Sequence, residues 1–337
     1  MAGSDPIDVS IVIPMFNAET TIEAAITSLR NQEKTAVSEI IVVDDGSTDR
    51  SLHIVQSLAR GDPRIVIFEQ DHAGAARAVN RGISHASGDL VGLLDSDAEV
   101  SSTWASILIP EFDDVGVGAA AGAIKLANPT SFWARAAGYE VDYRLSKTNG
   151  NRVDHLSTCN VVYRKSVLDG IGLFDTDMRI GYDVDMSYRI GRAGFRMVLN
   201  RDAICRNYWR EDFWPFLRQQ YRYAYDRLEL ATRYSGRMRG DDVVGVRMLV
   251  QVPLTFVLVA SLSLASWMTL TASNVAWFWL PGIVFAGMLA ERLQEAFAIS
   301  RRFNDKTMLL LPLVHTVRNF AWFAAACVWI GTRIRSL

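Results

Sequence analysis

Between Arg247 and Glu291 the chain carries no charged side chain. A bilayer span needs about 20 mostly apolar residues, so residues 248–290 are long enough for two spans joined by a tight turn. The polar run TASN, residues 271–274, is the natural place for that turn. Arg237, Arg239 and Arg247 precede the pair, and Arg301, Arg302 and Lys306 follow it. By the positive-inside rule both flanks are cytoplasmic, which makes the segment a helical hairpin. A buried hairpin of soluble helices is the competing reading, but such hairpins rarely run this far without a charge. A third apolar stretch, residues 307–332, holds Arg318 near its middle. A central arginine costs about 3 kcal/mol on an insertion scale, so this stretch either spans or lies along the interface. The membrane region is therefore expected over 236–337.

Upstream, the stretch IIVVDDGSTDRS (40–51) runs four apolar β-branched residues into two aspartates. A strand apolar on successive residues is buried on both faces, as in a parallel sheet. Its polar residues then gather at the carboxyl end, where open α/β sheets bind ligands. VSIVIP (9–14), RIVIFEQ (64–70) and DLVGLLDSD (89–97) read the same way. Helical spacing separates them, as in TTIEAAITSLRNQ (20–32) and STDRSLHIVQSLAR (47–60), the latter with Ser47 or Thr48 available as a cap. The fold class expected is α/β, a Rossmann-like, mostly parallel sheet filling residues 1–235. Within it, about 1–100 form regular strand–helix units and about 101–225 a less regular second half. An aromatic-rich helix is expected over 213–235.

The bulk numbers exclude several classes. With a formal net charge of −2 and a pI near 6.2, the chain offers no nucleic-acid surface. Cys159, Cys205 and Cys327 are scattered and odd in number, which fits a reducing compartment rather than a disulfide framework. The opening MAGSDPIDVS lacks the basic start and apolar run of a signal peptide. Abundant alanine, and arginine in excess of lysine, point to a GC-rich bacterial genome. No Gly-x-Gly-x-x-Gly follows the first strand, which disfavours a dinucleotide-dependent dehydrogenase.

Asp95 and Asp97, one residue apart at a strand exit, repeat the logic of Asp44 and Asp45. Mg²⁺ and Mn²⁺ are hard cations that take such oxygen ligands and share them with phosphates. Two acidic clusters at one sheet edge repel each other unless a cation is present.

SIVIPMFNAETTIEAAITSLRNQ, EIIVVDDGSTDRS and GDLVGLLDSDAEV, in this order, resemble glycosyltransferase family 2, inverting enzymes of the GT-A fold. The resemblance covers roughly residues 9–225. It implies that Pro14, Phe16 and Glu19 line the base and ribose pocket, with Asp45 facing the base and Asp44 beside it. It also implies that Asp95 contacts the nucleoside and Asp97 binds the metal on the donor diphosphate. Arg77 and Asn80 match the family's donor-side helix. Asp183, in FDTDMRIGYDVDMSYRIGRAGF (174–195), aligns with the general base, although Tyr182 stands where relatives carry glutamate. Asp185 is expected to be structural support. RQQYRY (218–223) resembles a Gln-x-x-Arg-Trp motif, placing Gln219, Arg222 and Tyr223 on the acceptor and diphosphate side. Its other reading is an amphipathic interface helix. Asn207 replaces a histidine common in relatives, and His155, a lone histidine, is left outside the site.

The expectation is a glycosyltransferase at the bacterial inner membrane with its catalytic domain in the cytoplasm. It would move a sugar from a nucleotide diphosphate, with UDP expected, to a hydroxyl of a lipid-linked or growing glycan, using Mg²⁺ or Mn²⁺. The alternatives are transfer to polyprenyl phosphate, or a catalytically silent scaffold of a polysaccharide-assembly complex.

Overall fold

The structure is a computed structural model that describes residues 8–32, 37–148, 150–178, 181–234, 246–272 and 275–335. The chain divides into two compact units, residues 1–128 with 144–209, and residues 129–143 with 210–337.

The first unit holds β1 (Val9–Met15), β2 (Val37–Asp44), β3 (Ile65–Glu69), β4 (Leu90–Leu94), β5 (Ala98–Val100), β6 (Val117–Leu126), β7 (Arg152–Val153), β8 (Asn160–Arg164) and β9 (Arg196–Asn207). Its helices are α1 (Ile22–Arg30), α2 (Ser51–Ala59), α3 (Ala75–His85), α4 (Trp104–Leu108), α6 (Lys165–Ile171) and α7 (Tyr182–Arg192), while α5 (Phe132–Lys147) begins in the second unit. The described strands make one sheet in the order β3-β2-β1-β4-β8-β6-β9-β5, with β7 on β9. β1 to β4 are mutually parallel, and β8 runs antiparallel to both β4 and β6.

The continuous apolar runs are explained by two cores. Ile11, Ile13, Ile40 and Val42 point into one, together with Ile22, Ile26 and Leu29 of α1. Val12, Ile41 and Val43 point into the other, against Val79 and Ile83 of α3. Because neighbours on a strand face opposite ways, a strand covered on both sides must be apolar at every position. Gly82 lets α3 come close, since a Cβ there would stand 2.2 Å from Val12 Cγ1.

α2 starts later than its sequence suggests. Ser47 and Thr48 do not cap it, because both are tied to the turn after β1. Ser47 Oγ accepts from Asn17 N at 3.0 Å, and Thr48 N donates to Asn17 Oδ1 at 2.8 Å. The free amides at the helix start are taken instead by Asp49, from Ser51 N at 3.0 Å, and by Glu19, from Arg50 N at 3.1 Å.

The second unit contains most of α5, then α8 (Phe213–Arg233), α9 (Val246–Ala272), α10 (Trp279–Phe303) and α11 (Leu311–Arg335). The boundary expected near residue 235 therefore moves. α8 and residues 129–143 belong with the C-terminal helices, because their side chains are bound there. Arg135 Nε meets Asp305 at 2.8 Å, Tyr139 stacks on Phe303 with centroids 4.1 Å apart, and Arg318 is held by Glu140. The predicted hairpin corresponds to α9 and the first half of α10, which continues past Glu291 to Phe303. Its turn residues Ser273 and Asn274 lie outside the described residues, as do Arg237 and Arg239. Val250–Thr271 and Lys306–Arg335 are long and apolar enough to cross a membrane by length and composition.

Candidate active site at the carboxyl edge of the sheet

β1, β2 and β4 are parallel neighbours, so their carboxyl ends share one edge. Phe16 leaves β1, Asp44 and Asp45 leave β2, and Asp95 follows β4. Both β2 aspartates are 3% exposed. Asp44 accepts from Ser47 N at 3.3 Å. Asp45 organises the loop after β3: its carboxylate accepts from Gln70 Nε2 at 2.7 Å, Ala73 N at 2.8 Å and Gly74 N at 2.9 Å. His72 Nδ1 lies 2.9 Å from the same carboxylate, and its ring stacks on Phe16 with centroids 4.2 Å apart. Gly46 permits this closure, because it sits at φ +76° and a Cβ would stand 3.0 Å from His72 N. Phe16 remains 44% exposed, an open aromatic face at the strand exit. Pro14 lies inside β1 opposite Val43, and Glu19 is used at the start of α2.

A second group forms around Asp95. Burial, followed by the charges of Asp97 and Asp183, pushes the Asp95 carboxyl up to about 8. Asp97, its neighbour in sequence, and Asp183, from a distant part of the chain, thus both act on Asp95. Asp183 stands in the first turn of α7, behind Gly181 in the left-handed region at φ 82°. Its Oδ1 accepts from Val184 N at 2.8 Å, and its Oδ2 is 3.4 Å from His155 Nε2. The His155 side chain is only 8% exposed. Asp185 is structural as expected: it binds Arg189 at 2.8 Å, and that guanidinium donates to the carbonyls of Ile171, Gly172 and Leu173. Tyr182 packs edge-on against Phe174, centroids 5.7 Å apart, and so is part of the core.

The donor-side helix divides. Arg77 is exposed on α3. Asn80 is engaged elsewhere, since its Nδ2 donates to Phe174 O at 2.8 Å and its Oδ1 accepts from Phe174 N at 2.9 Å. This amide clamps two chain segments instead of presenting itself to a ligand. Gln219, Arg222 and Tyr223 lie on α8, in the second unit. Sequence reasoning missed His72, which had a signal, since it follows β3 at the edge where the aspartates leave. His155, weighed for the acceptor site and set aside as a lone histidine, stands beside Asp183, a placement that only the fold brings about.

Among the described residues, no three or more His, Cys, Asp or Glu form a cage for a metal ion. A hard cation can be held by one or two carboxylates and completed by substrate phosphates and water. Asp97 and Asp95 supply such oxygens. Beside Asp97, Asn207 pairs with Ala98, and its Oδ1 is buried without a hydrogen-bond partner. An uncommitted amide oxygen of this kind is a further hard donor, so the residues fit a divalent ion.

A mostly parallel sheet with helices on both faces and acidic exits along its carboxyl edge defines a GT-A domain. In keeping with this, the mannosyltransferase PcManGT from Pyrobaculum calidifontis, solved with GDP-Man and Mn²⁺, superimposes with a TM-score of 0.55 at 18% identity. That match covers 94% of this chain and 88% of the other. Residues 10–172 match the family model described as Glycosyl transferase family 2. A poly-β-1,6-N-acetyl-D-glucosamine synthase of Staphylococcus aureus is 27% identical over 206 residues, 58% of this chain and 49% of the relative. An N-acetylglucosaminyltransferase of Rhizobium sp. strain N33 is 30% identical over 244 residues, 66% of this chain and 54% of the relative. The chain thus spans about half the length of these curated relatives.

Proposed function

We propose that the protein is a membrane-associated inverting glycosyltransferase that moves a sugar, N-acetylglucosamine in the first instance, from UDP to a hydroxyl of a lipid-linked or growing glycan. The observation that carries this reading is that Asp97 and Asp183 both act on the buried Asp95 carboxyl at the sheet edge, with Asp183 set against His155 at 3.4 Å. The names of the relatives support the sugar, and the charge-free segment Val250–Thr271 supports the membrane.

In this reading the open face of Phe16 receives the nucleobase, beside the loop that Asp45 holds in place. Asp97, with Asp95, would hold Mg²⁺ or Mn²⁺. The ion, when bound, neutralises charge on the departing diphosphate without a proton transfer. Asp183 takes the proton from the acceptor hydroxyl. The freed oxygen pair attacks the anomeric carbon from the side opposite the diphosphate. The new C–O bond forms as the bond to the diphosphate oxygen breaks, and the configuration inverts. The first turn of α7 aims the Asp183 carboxylate, whose Oδ1 accepts from Val184 N at 2.8 Å.

The test is a screen of nucleotide sugars for Mn²⁺-dependent turnover by the purified, detergent-solubilised protein. UDP-N-acetylglucosamine is the expected donor. Absence of turnover with every UDP and GDP sugar, in the presence of lipid-linked acceptors, would refute the reading.

A further inference from the structure

We propose that α8 and α11 lie side by side in the plane of the membrane surface, so that α11 does not span. This rests on the membrane reading above and is independent of the sugar-transfer chemistry.

The two helices run parallel in steady register. Phe216 clusters with Leu311 and Val314. Two turns on, Ala224 clusters with Ala321, Trp322 and Ala325. Further along, Glu229 accepts from Trp329 Nε1 at 3.2 Å and from Arg333 Nη2 at 2.8 Å. From Phe216 to Glu229 the pairing extends about 20 Å at helical rise. Whatever direction α11 takes relative to a bilayer, α8 takes it too.

α8 cannot lie in hydrocarbon. It carries Arg218, Arg222, Asp226, Arg227, Glu229 and Arg233, and three of these arginines (218, 222 and 233) are exposed. Charges facing lipid at the bilayer centre are strongly disfavoured. A basic, aromatic-rich helix suits the headgroup level, where its arginines meet anionic phospholipid. α11, although apolar enough to span, is held at that level by its partner.

The other helices agree with this placement. α9 touches α11 near its own start: Asn319 Nδ2 donates to Gln251 Oε1 at 2.9 Å, and Phe256 meets Phe323 with centroids 4.5 Å apart. Beyond these contacts, Leu264, Trp267 and Leu270 of α9 are exposed. Glu291 of α10 accepts from Gln251 at 3.0 Å, so the polar groups collect at the foot of the hairpin, level with α11. α11 turns His315, Arg318 and Asn319 inward, while Leu313, Phe320, Val328 and Ile334 are exposed on one side. That side is an apolar face for the acyl boundary.

The experiment is side-specific thiol labelling of the full chain, with Cys327 changed to Ser; Cys159 and Cys205 are buried. Arg335→Cys, and Thr332→Cys as a second exposed position, are treated with a membrane-impermeant maleimide in intact spheroplasts and in inverted vesicles. Lys306→Cys, before α11, marks the cytoplasmic side. The expected result is labelling of all three positions in inverted vesicles alone. Labelling of Arg335→Cys or Thr332→Cys from outside spheroplasts would show that α11 spans and overturn the proposal. Labelling only after detergent would place them in hydrocarbon and overturn it equally. Recovery of the protein in the soluble fraction would remove the membrane reading and this inference with it, leaving the transfer chemistry untouched.

Discussion

Arg318 Nη1 donates to both carboxylate oxygens of Glu140, at 2.9 and 3.2 Å, with the two side chains 6% and 9% exposed. His315 Nε2 stands 3.3 Å from the same carboxylate. The arginine that interrupts an apolar stretch is thus an internal charge with an internal partner. Removing one member of a buried pair leaves the other uncompensated, which costs about 3–5 kcal/mol. Glu140→Leu and Arg318→Met should therefore each lower the unfolding midpoint sharply in detergent. The double variant Glu140→Leu with Arg318→Met should recover much of the loss. Thermal unfolding of the four proteins of this cycle is the check, and additive effects would contradict the pairing.

Asp95 sets a pH dependence. Its carboxyl, ordinarily near 3.8, is pushed up to about 8 in the folded state, first by burial and then by Asp97 and Asp183. The folded protein therefore keeps a proton that the unfolded chain has lost. Stability from this group is complete below about pH 4 and is lost as pH rises through about 8. In EDTA, the wild type should lose stability across that window, and Asp95→Asn should flatten the slope. Denaturant midpoints measured at several pH values decide it; parallel slopes for the two proteins would count against the convergence of the three carboxyls.

Asn80 separates a clamp from a ligand contact. Asn80→Ala leaves the Phe174 N–H and C=O without partners, at about 1–3 kcal/mol. Chemical denaturation should show that loss, while calorimetry should find the UDP affinity within about twofold of the wild type. A selective fall in UDP affinity with stability intact would return Asn80 to the donor site.

Sequence legibility follows from where the physical information resides. Ile40–Val43 announced a strand buried on both faces because both covers act on consecutive residues. Asp44, Asp45, Asp95 and Asp97 announced a site because parallel strands bring their exits to one edge. Asp185 read as structural because it falls at the start of a helix, and its partner Arg189 lies one turn further on. The partners of Arg318 and Asp183 were illegible, since Glu140 and His155 reach them only through the tertiary fold. The late start of α2 was illegible for the same reason: Asn17, on another segment, holds Ser47 and Thr48 in a loop. The membership of α8 was hidden because no local pattern tells a helix which neighbour runs beside it.

Asp45 links the two halves of the nucleotide edge. As the acceptor for Ala73 N and Gly74 N, it holds the loop that carries His72 against Phe16. Asp45→Asn replaces acceptor capacity with donors and should loosen this loop, at about 1–3 kcal/mol of stability. A fall in UDP affinity of at least about tenfold, about 1.4 kcal/mol, is expected by calorimetry. Unchanged affinity would show that the loop does not contribute to the base pocket.

The central claim is that Asp183 is the base of a sugar transfer whose cation sits at Asp97. The direct measurement is Asp183→Asn, assayed for both Mn²⁺-dependent UDP binding and turnover of UDP-N-acetylglucosamine. The account predicts binding close to the wild type and turnover reduced by at least about 10²-fold, the lower range for general-base loss. Turnover at the wild-type level in Asp183→Asn would contradict it.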